Sequence, residues 1–297
     1  MTHIPQITAA EAAHYSLSIR TISGGLAFCI TSEAKAPAEA PRLVHAGRLK
    51  TSASVHSVYE ALQELYFSYE FLSLPYRSVT LYYEPKQAVL VPTALLQEGQ
   101  DELWLSPTEE TGSTAGQRAN ESLCTTLRYA LPDDTKTFVL SWPSDAYQFL
   151  RRTLLLIEPQ PHFAPILESQ RAKSRATQGR ELLLLLRPGA MDLFLIQEGE
   201  IEAYNSAPLI AGHSQEVVAG EIIFYTFAFW RHFALEGTTD RLTIAYSEEE
   251  QSATQQSLQA IAEEACQLLH PYISQITIQG YQSLPYLERE VAPAPND

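Results

Sequence analysis

Two short stretches combine a guanidinium with a glycine turn and have the residue types best suited to chemistry. Arg20-Thr21-Ile22-Ser23-Gly24-Gly25 and Arg187-Pro188-Gly189-Ala190 each place an arginine just ahead of glycine. Glycine accepts the positive φ of a tight turn and leaves backbone amides accessible, while arginine presents a planar fork of donors. Facing one another, Arg20 and Arg187 could hold an anion. The plainer reading, two solvated arginines at strand ends, carries more weight. Asp192 is the carboxylate nearest the second turn, on a returning strand where alternation can direct its side chain away.

Other signals point to structure rather than chemistry. Gly212-His213-Ser214-Gln215-Glu216 begins like a nucleophile elbow but lacks the second glycine, and no strand immediately precedes it, so Ser214 reads as a helix start. The eight histidines show no metal-ligating spacing, and the three cysteines, Cys29, Cys124 and Cys266, are far apart with no Cys-x-x-Cys pattern. Tyr59, Tyr66 and Tyr69 share one helix and read as core and rim packing. Glu248-Glu249-Glu250 suits a helix N-terminus.

These residues must be positioned by strands, turns and a few helices. The stretch 180–209 reads as a meander: five leucines at 182–186, the turn Pro188-Gly189, a returning strand at 191–196, the turn Glu198-Gly199, and an alternating strand from Ile201. Leucines on both faces of one strand predict a sheet covered on both sides. The N-terminal counterpart is a strand at 15–22, the turn Ser23-Gly24-Gly25, and strands at 26–30 and 43–49. Apolar residues at three- and four-residue steps predict a helix over 55–72, with Ser57 and Glu60 as a capping box. A strand at 79–83, a short helix from Pro92 to near Trp104, an insertion at 106–134 and a strand at 138–142 follow. Next come a helix over 143–156 and a Pro-, Gln- and Arg-rich junction at 159–178. The helix 217–233 opens on Val217 and closes on Phe233, with Ile222, Phe224, Tyr225, Phe227, Phe229 and Trp230 making it apolar almost all round. It is therefore either sandwiched or an interface. A strand at 242–246, a capping box at Ser247 and Glu250, an amphipathic helix marked by Leu258, Ile261, Ala262, Ala265, Leu268 and Leu269, a strand at 276–279 and a frayed tail at 291–297 complete the chain.

The order strand, glycine turn, strand, strand, helix, strand, helix, strand occurs twice. Gly24 recurs as Gly189, the helix beginning at Val55 as that at Val217, and the strand beginning at Val79 as that at Leu242, at separations of about 162 to 165 residues. This predicts an α/β protein of two halves, 1–160 and 161–297, each a five-stranded mixed sheet flanked by helices.

Composition narrows the partners. With 35 acidic and 20 basic residues the chain carries a net charge of −15, which opposes binding to nucleic acid or anionic lipid. The N-terminus shows no basic head followed by an apolar core, and the most apolar window, 222–230, is about half the roughly 20 residues that cross a bilayer. A reducing cytoplasm is expected from the scattered cysteines.

Two such halves resemble the actin-like ATPase superfamily, whose halves are each a ribonuclease H-like domain. More narrowly, the opening SLSIRTISGGLAFCI looks like the start of a family of uncharacterised Bacteroidetes-type proteins, domain of unknown function 3822. An actin-like fold without an assigned activity is what that resemblance implies. Actin-like ATPases hold phosphates in the first hairpin turn of each half, through an Asp-x-Gly pattern. Both turns here keep glycine and neither keeps the acid. The loop after the last strand usually carries paired glycines in that superfamily, and here Gly280 stands alone before Tyr281. The resemblance thus implies cleft candidates at Arg20, Gly24, Gly25, Arg187, Gly189 and Gly280, with no catalytic residue and no metal ligand assigned. The expected function is a non-hydrolysing scaffold that binds a protein partner, through the 217–233 helix, without a cofactor. The alternative is an active ATPase or small-molecule kinase using ATP with magnesium and displaced acids such as Asp192. A ribonuclease H-like nuclease ranks last, because its strands would need clustered carboxylates.

Overall fold

A computed structural model describes residues 5–22, 24–32, 41–52, 55, 57–105, 124–132, 135–154, 157–177, 179–209, 214–248 and 257–281. The chain divides into two compact units, with the break between His162 and Phe163.

The first unit begins with a single capped turn, α1 (Ala9–Ala12), and the strands β1 (Tyr15–Ile22), β2 (Gly25–Ser32) and β3 (Arg42–Lys50). These are followed by α2 (Val58–Ser68), β4 (Ser78–Tyr83), β5 (Gln87–Pro92), α3 (Asp101–Trp104), β6 (Cys124–Ala130), β7 (Lys136–Pro143), α4 (Ser144–Thr153) and β8 (Ile157–Pro161). Its main sheet has the order β3-β2-β1-β4-β8. The first three strands are antiparallel neighbours, and β4 and β8 add parallel to β1. Helix α2 starts where Ser57 Oγ accepts the Glu60 amide at 3.1 Å, which satisfies one of the helix's unpaired N–H groups. It buries Leu62, Leu65 and Tyr66. Tyr59 and Tyr66 both meet the Phe149 ring edge-on, at centroid distances of 6.0 and 5.6 Å, so these tyrosines are packing groups.

The second unit contains α5 (Ala164–Ala176), β9 (Arg180–Arg187), β10 (Ala190–Gln197), β11 (Glu200–Pro208), α6 (Gln215–His232), β12 (Arg241–Ser247), α7 (Leu258–Leu269) and β13 (Gln275–Tyr281). Its sheet, β11-β10-β9-β12-β13, repeats the order and strand directions of the first. All five leucines of β9 are fully buried. Leu182, Leu184 and Leu186 join Met191, Leu193, Ile222, Trp230, Ala262 and Leu269 in a core with α6 and α7, while the alternate residues face the opposite side of the sheet. Each buried leucine contributes about 1.5–3 kcal/mol, so this one strand stabilises the unit more than any local turn does.

Several elements differ from the sequence expectation. The helix expected from Pro92 to near Trp104 is instead the end of strand β5, one 3₁₀ turn at Thr93–Leu95 and the single turn α3. The strand expected at 138–142 is β7, but it is the centre of a separate antiparallel sheet, β5-β7-β6, rather than the fifth strand of the main one. The fifth strand is β8, Ile-Glu-Pro-Gln-Pro, whose prolines and missing alternation disguise it. An edge strand tolerates proline because its outward N–H needs no partner. The Pro-, Gln- and Arg-rich junction contains helix α5, with proline in its first turn, where its missing N–H costs nothing. Of the insertion expected at 106–134, residues 106–123 and 133–134 lie outside the described residues, and the remainder includes β6. The tail at 291–297 also lies outside them.

Candidate functional site

Arg187 closes β9 and lies diagonally across from Asp192 on β10, since Ala190 is its direct partner and Asp192 is two residues further along the same face. The guanidinium Nε donates to Asp192 Oδ2 at 2.9 Å, and the carboxylate is 1% exposed. On the other side, Tyr204 of β11 donates its hydroxyl to Asp192 Oδ1 at 2.9 Å. Phe194 packs against Tyr204 at a centroid distance of 4.9 Å, and Phe163 adds a second ring at 6.1 Å. Burial pushes the Tyr204 phenol well above its ordinary value, and the adjacent Asp192 charge and their hydrogen bond push it further. Each carboxylate oxygen of Asp192 therefore accepts a hydrogen bond from a neighbouring side chain.

Arg20 is on β1, also buried, and its Nη2 donates to Glu84 Oε1 at 3.0 Å from just beyond β4. The two arginines do not occupy equivalent places. With Gly24 and Gly189 superposed as turn residues, strand pairing makes Ile22 the counterpart of Arg187 and Leu185 the counterpart of Arg20. Arg20 is thus one rung deeper on the same face, because side chains repeat every second residue. In the same register Glu84 corresponds to Ser247, whose buried hydroxyl has no hydrogen-bond partner among the described residues. Arg20 and Arg187 are each paired with a carboxylate, but on a different side of the strand: Glu84 follows β4 and Asp192 is on β10.

The glycines divide by role. Gly24 and Gly189 have φ of +67° and +75°, and a side chain built at either would meet nothing within 4 Å, so both turns are open to an approaching group. Gly25 is different: a Cβ there would run into the Leu49 carbonyl of β3, so its missing side chain serves strand pairing. Gly280 is level with Tyr246 and Leu186 in the parallel register. The Glu248 side chain lies where a Cβ of residue 280 would be. A carboxylate, not an open amide, therefore covers that position. The register places Gly280 at the same end of the second sheet as Arg187, while Arg20, Gly24 and Gly25 belong to the first sheet.

Sequence reading missed Glu84 and Tyr204, and also a buried polar group on the α5 side of the second sheet. Thr243 donates to Glu181 Oε1 at 2.6 Å, and Gln170 of α5 donates to the same oxygen. Arg171 Nε donates to the Gly199 carbonyl at 2.6 Å, and the Gly199 amide donates to Ser174 Oγ at 3.2 Å. These bonds attach α5 to the sheet. Glu181, an acid next to five leucines, was the available clue. Among the described residues no group of three or more His, Cys, Asp or Glu could hold a metal ion, and no helix is long and apolar enough to cross a membrane. Residues 212 and 213 of the elbow-like stretch, and Glu249 and Glu250, lie outside the described residues.

Comparison with solved structures shows the fold. A Bacteroides thetaiotaomicron protein with an actin-like ATPase fold and unknown function matches with a TM-score of 0.72 at 18% identity, over 92% of this chain and 94% of that one. A chain of the PilM-PilN type IV pilus biogenesis complex matches with a TM-score of 0.50 at 10% identity, over 90% and 88%. The protein has the actin-like ATPase fold, built on two five-stranded mixed sheets. A search of curated proteins gives no match. A family model described as protein of unknown function (DUF3822) matches residues 5–264, and the chain belongs to that family.

Proposed function

We propose that this protein is a non-hydrolysing member of the actin-like fold that acts as a protein-interaction scaffold, with α6 as its docking helix. The observation that carries the reading is the commitment of Asp192. It is the carboxylate nearest the second glycine turn, and Arg187 and Tyr204 take both of its oxygens inside the sheet. Phosphoryl transfer depends on a metal and its carboxylate anchors, and neither turn supplies one. Helix α6 supports the docking role, because Phe224 and Val217 remain exposed after its inner face is buried. A chain of the PilM-PilN type IV pilus biogenesis complex has a similar fold, which favours a protein partner. The repeated strand order supports descent from one duplicated unit, and the free thiols Cys29, Cys124 and Cys266 fit a reducing cytoplasm.

Isothermal titration with ATP and magnesium tests the reading. No magnesium-dependent heat is expected, and saturable magnesium-dependent binding would count against it. The open turns at Gly24 and Gly189 favour a second reading, nucleotide binding by an active ATPase or small-molecule kinase. Under that reading, nucleotide at 100 times its dissociation constant would stabilise the fold by about 2.7 kcal/mol in a thermal melt.

A further inference from the structure

Helix α6 carries an outward face whose residues are symmetric about Phe224. Phe224 is 68% exposed. Gly220 and Ala228 are exposed four residues to either side, Val217 and Arg231 seven residues away, and Glu216 and His232 eight residues away. Its inner face, Val218, Ala219, Ile222, Thr226 and Trp230, is buried in the unit's own core. The apolar surface widens toward α7, where the exposed Tyr272 meets the Phe227 ring at 5.2 Å and Leu268 is also exposed.

An acid in the first turn and a base in the last turn suit the helix dipole, which accounts for Glu216 and Arg231 by themselves. It does not account for a large exposed aromatic at the midpoint with glycine and alanine on either side. Helices pack closely where small residues receive a neighbour's large one, and a twofold axis makes the same patch its own complement. Placing that axis at Phe224 and running two copies of α6 antiparallel puts Glu216 of each beside His232 and Arg231 of the other. The two Phe224 side chains then meet at the axis, and on either side of them Gly220 of one copy faces Ala228 of the other, where the small residues let the helices approach. Two chains of net charge −15 repel each other at long range, so the two acid–base ends supply the local complementarity that opposes this.

We infer that α6 is a homodimer interface with Phe224 on the twofold axis, the occupant of the exposed face being a second copy of this chain. The inference rests on the reading of α6 as a docking helix and names its partner. Sedimentation equilibrium of the full chain tests it. The parent is expected to be dimeric, and Phe224→Glu monomeric with an unchanged far-ultraviolet circular dichroism spectrum, because residue 224 lies outside the core. Glu216→Arg or Arg231→Glu alone is expected to weaken the dimer about tenfold, and the two together to restore it, since the swapped charges again face each other across the axis. A monomeric parent, a dimeric Phe224→Glu, or a double swap no better than either single change overturns the inference. Phosphate release from ATP on the same samples separates the two claims. Turnover would defeat the non-hydrolysing reading whatever the mass, and a monomer without turnover would defeat only the dimer.

Discussion

Arg187 and Asp192 meet on one face of the second sheet, with Nε 2.9 Å from Oδ2 and the carboxylate almost wholly buried. The pairing ties the carboxylate that follows the Pro188-Gly189 turn in sequence to the end of β9. Removing one partner leaves the other buried without this ion pair, a loss of about 3–5 kcal/mol for pairs of this kind. Asp192→Asn should therefore lower the melting temperature substantially. Replacing both, Asp192→Asn with Arg187→Met, should cost less than the sum of the single changes. A double-mutant cycle in urea measures this, and additive losses would show that the pair is not coupled.

Tyr204 provides a pH-dependent check on the same cluster. Its folded phenol holds the proton more tightly than the unfolded chain does, owing first to burial and then to Asp192. The associated stability is intact below about pH 10, the unfolded tyrosine value, and is lost as pH rises above it. Burial raises Tyr66, Tyr76 and Tyr83 as well, so the parent should lose stability steeply in alkali. Tyr204→Phe should cost about 1–3 kcal/mol at neutral pH and make the alkaline decline shallower. Thermal melts across the alkaline range read both effects, and an unchanged slope would count against this assignment.

The adjacent glycines Gly24 and Gly25 should respond differently to alanine. At Gly24 the cost is the positive φ alone, about 1–2 kcal/mol, because the space around it is open. At Gly25 the new methyl would strike the Leu49 backbone, which cannot rotate aside as a side chain can. Gly25→Ala should be the more damaging change and should loosen β3 from β2. Denaturant midpoints of the two variants give the order, and the reverse order would contradict these roles.

How much of this was legible in the sequence depended on what surrounds each residue. The leucine run and the glycine turns identified the second meander, because a strand buried on both faces has a distinct pattern. β8 and α5 were hidden in a proline-rich polar stretch. One is an edge strand and the other is held by polar side chains, Gln170, Arg171 and Ser174, so neither needed an apolar signature. The glycines of the candidate site were visible, but their roles were not. A backbone carbonyl behind Gly25 and a carboxylate over Gly280 come from β3 and from the residue after β12, contacts that no local pattern encodes. Arg20 and Arg187 look alike in the sequence, each ahead of a glycine turn, whereas strand pairing separates them by one rung.

The cysteines should separate by reactivity. Cys29 is buried in β2 and burial pushes its thiol up to about 12, so it should resist alkylation in the native state. Cys124 is exposed and should react first; Cys266, partly buried and also raised, should follow. Mass-resolved labelling at neutral pH gives the order, and early modification of Cys29 would show that β2 is not covered as described.

The most direct measurement is phosphate release by the purified full chain with ATP and magnesium, run beside Asp192→Asn and a heat-killed control. Release at the level of the killed control in both proteins is the expected result under the proposed reading, because Arg187 and Tyr204 each donate to an oxygen of Asp192. Release by the parent that disappears in Asp192→Asn, with that variant still folded, would contradict the non-hydrolysing reading.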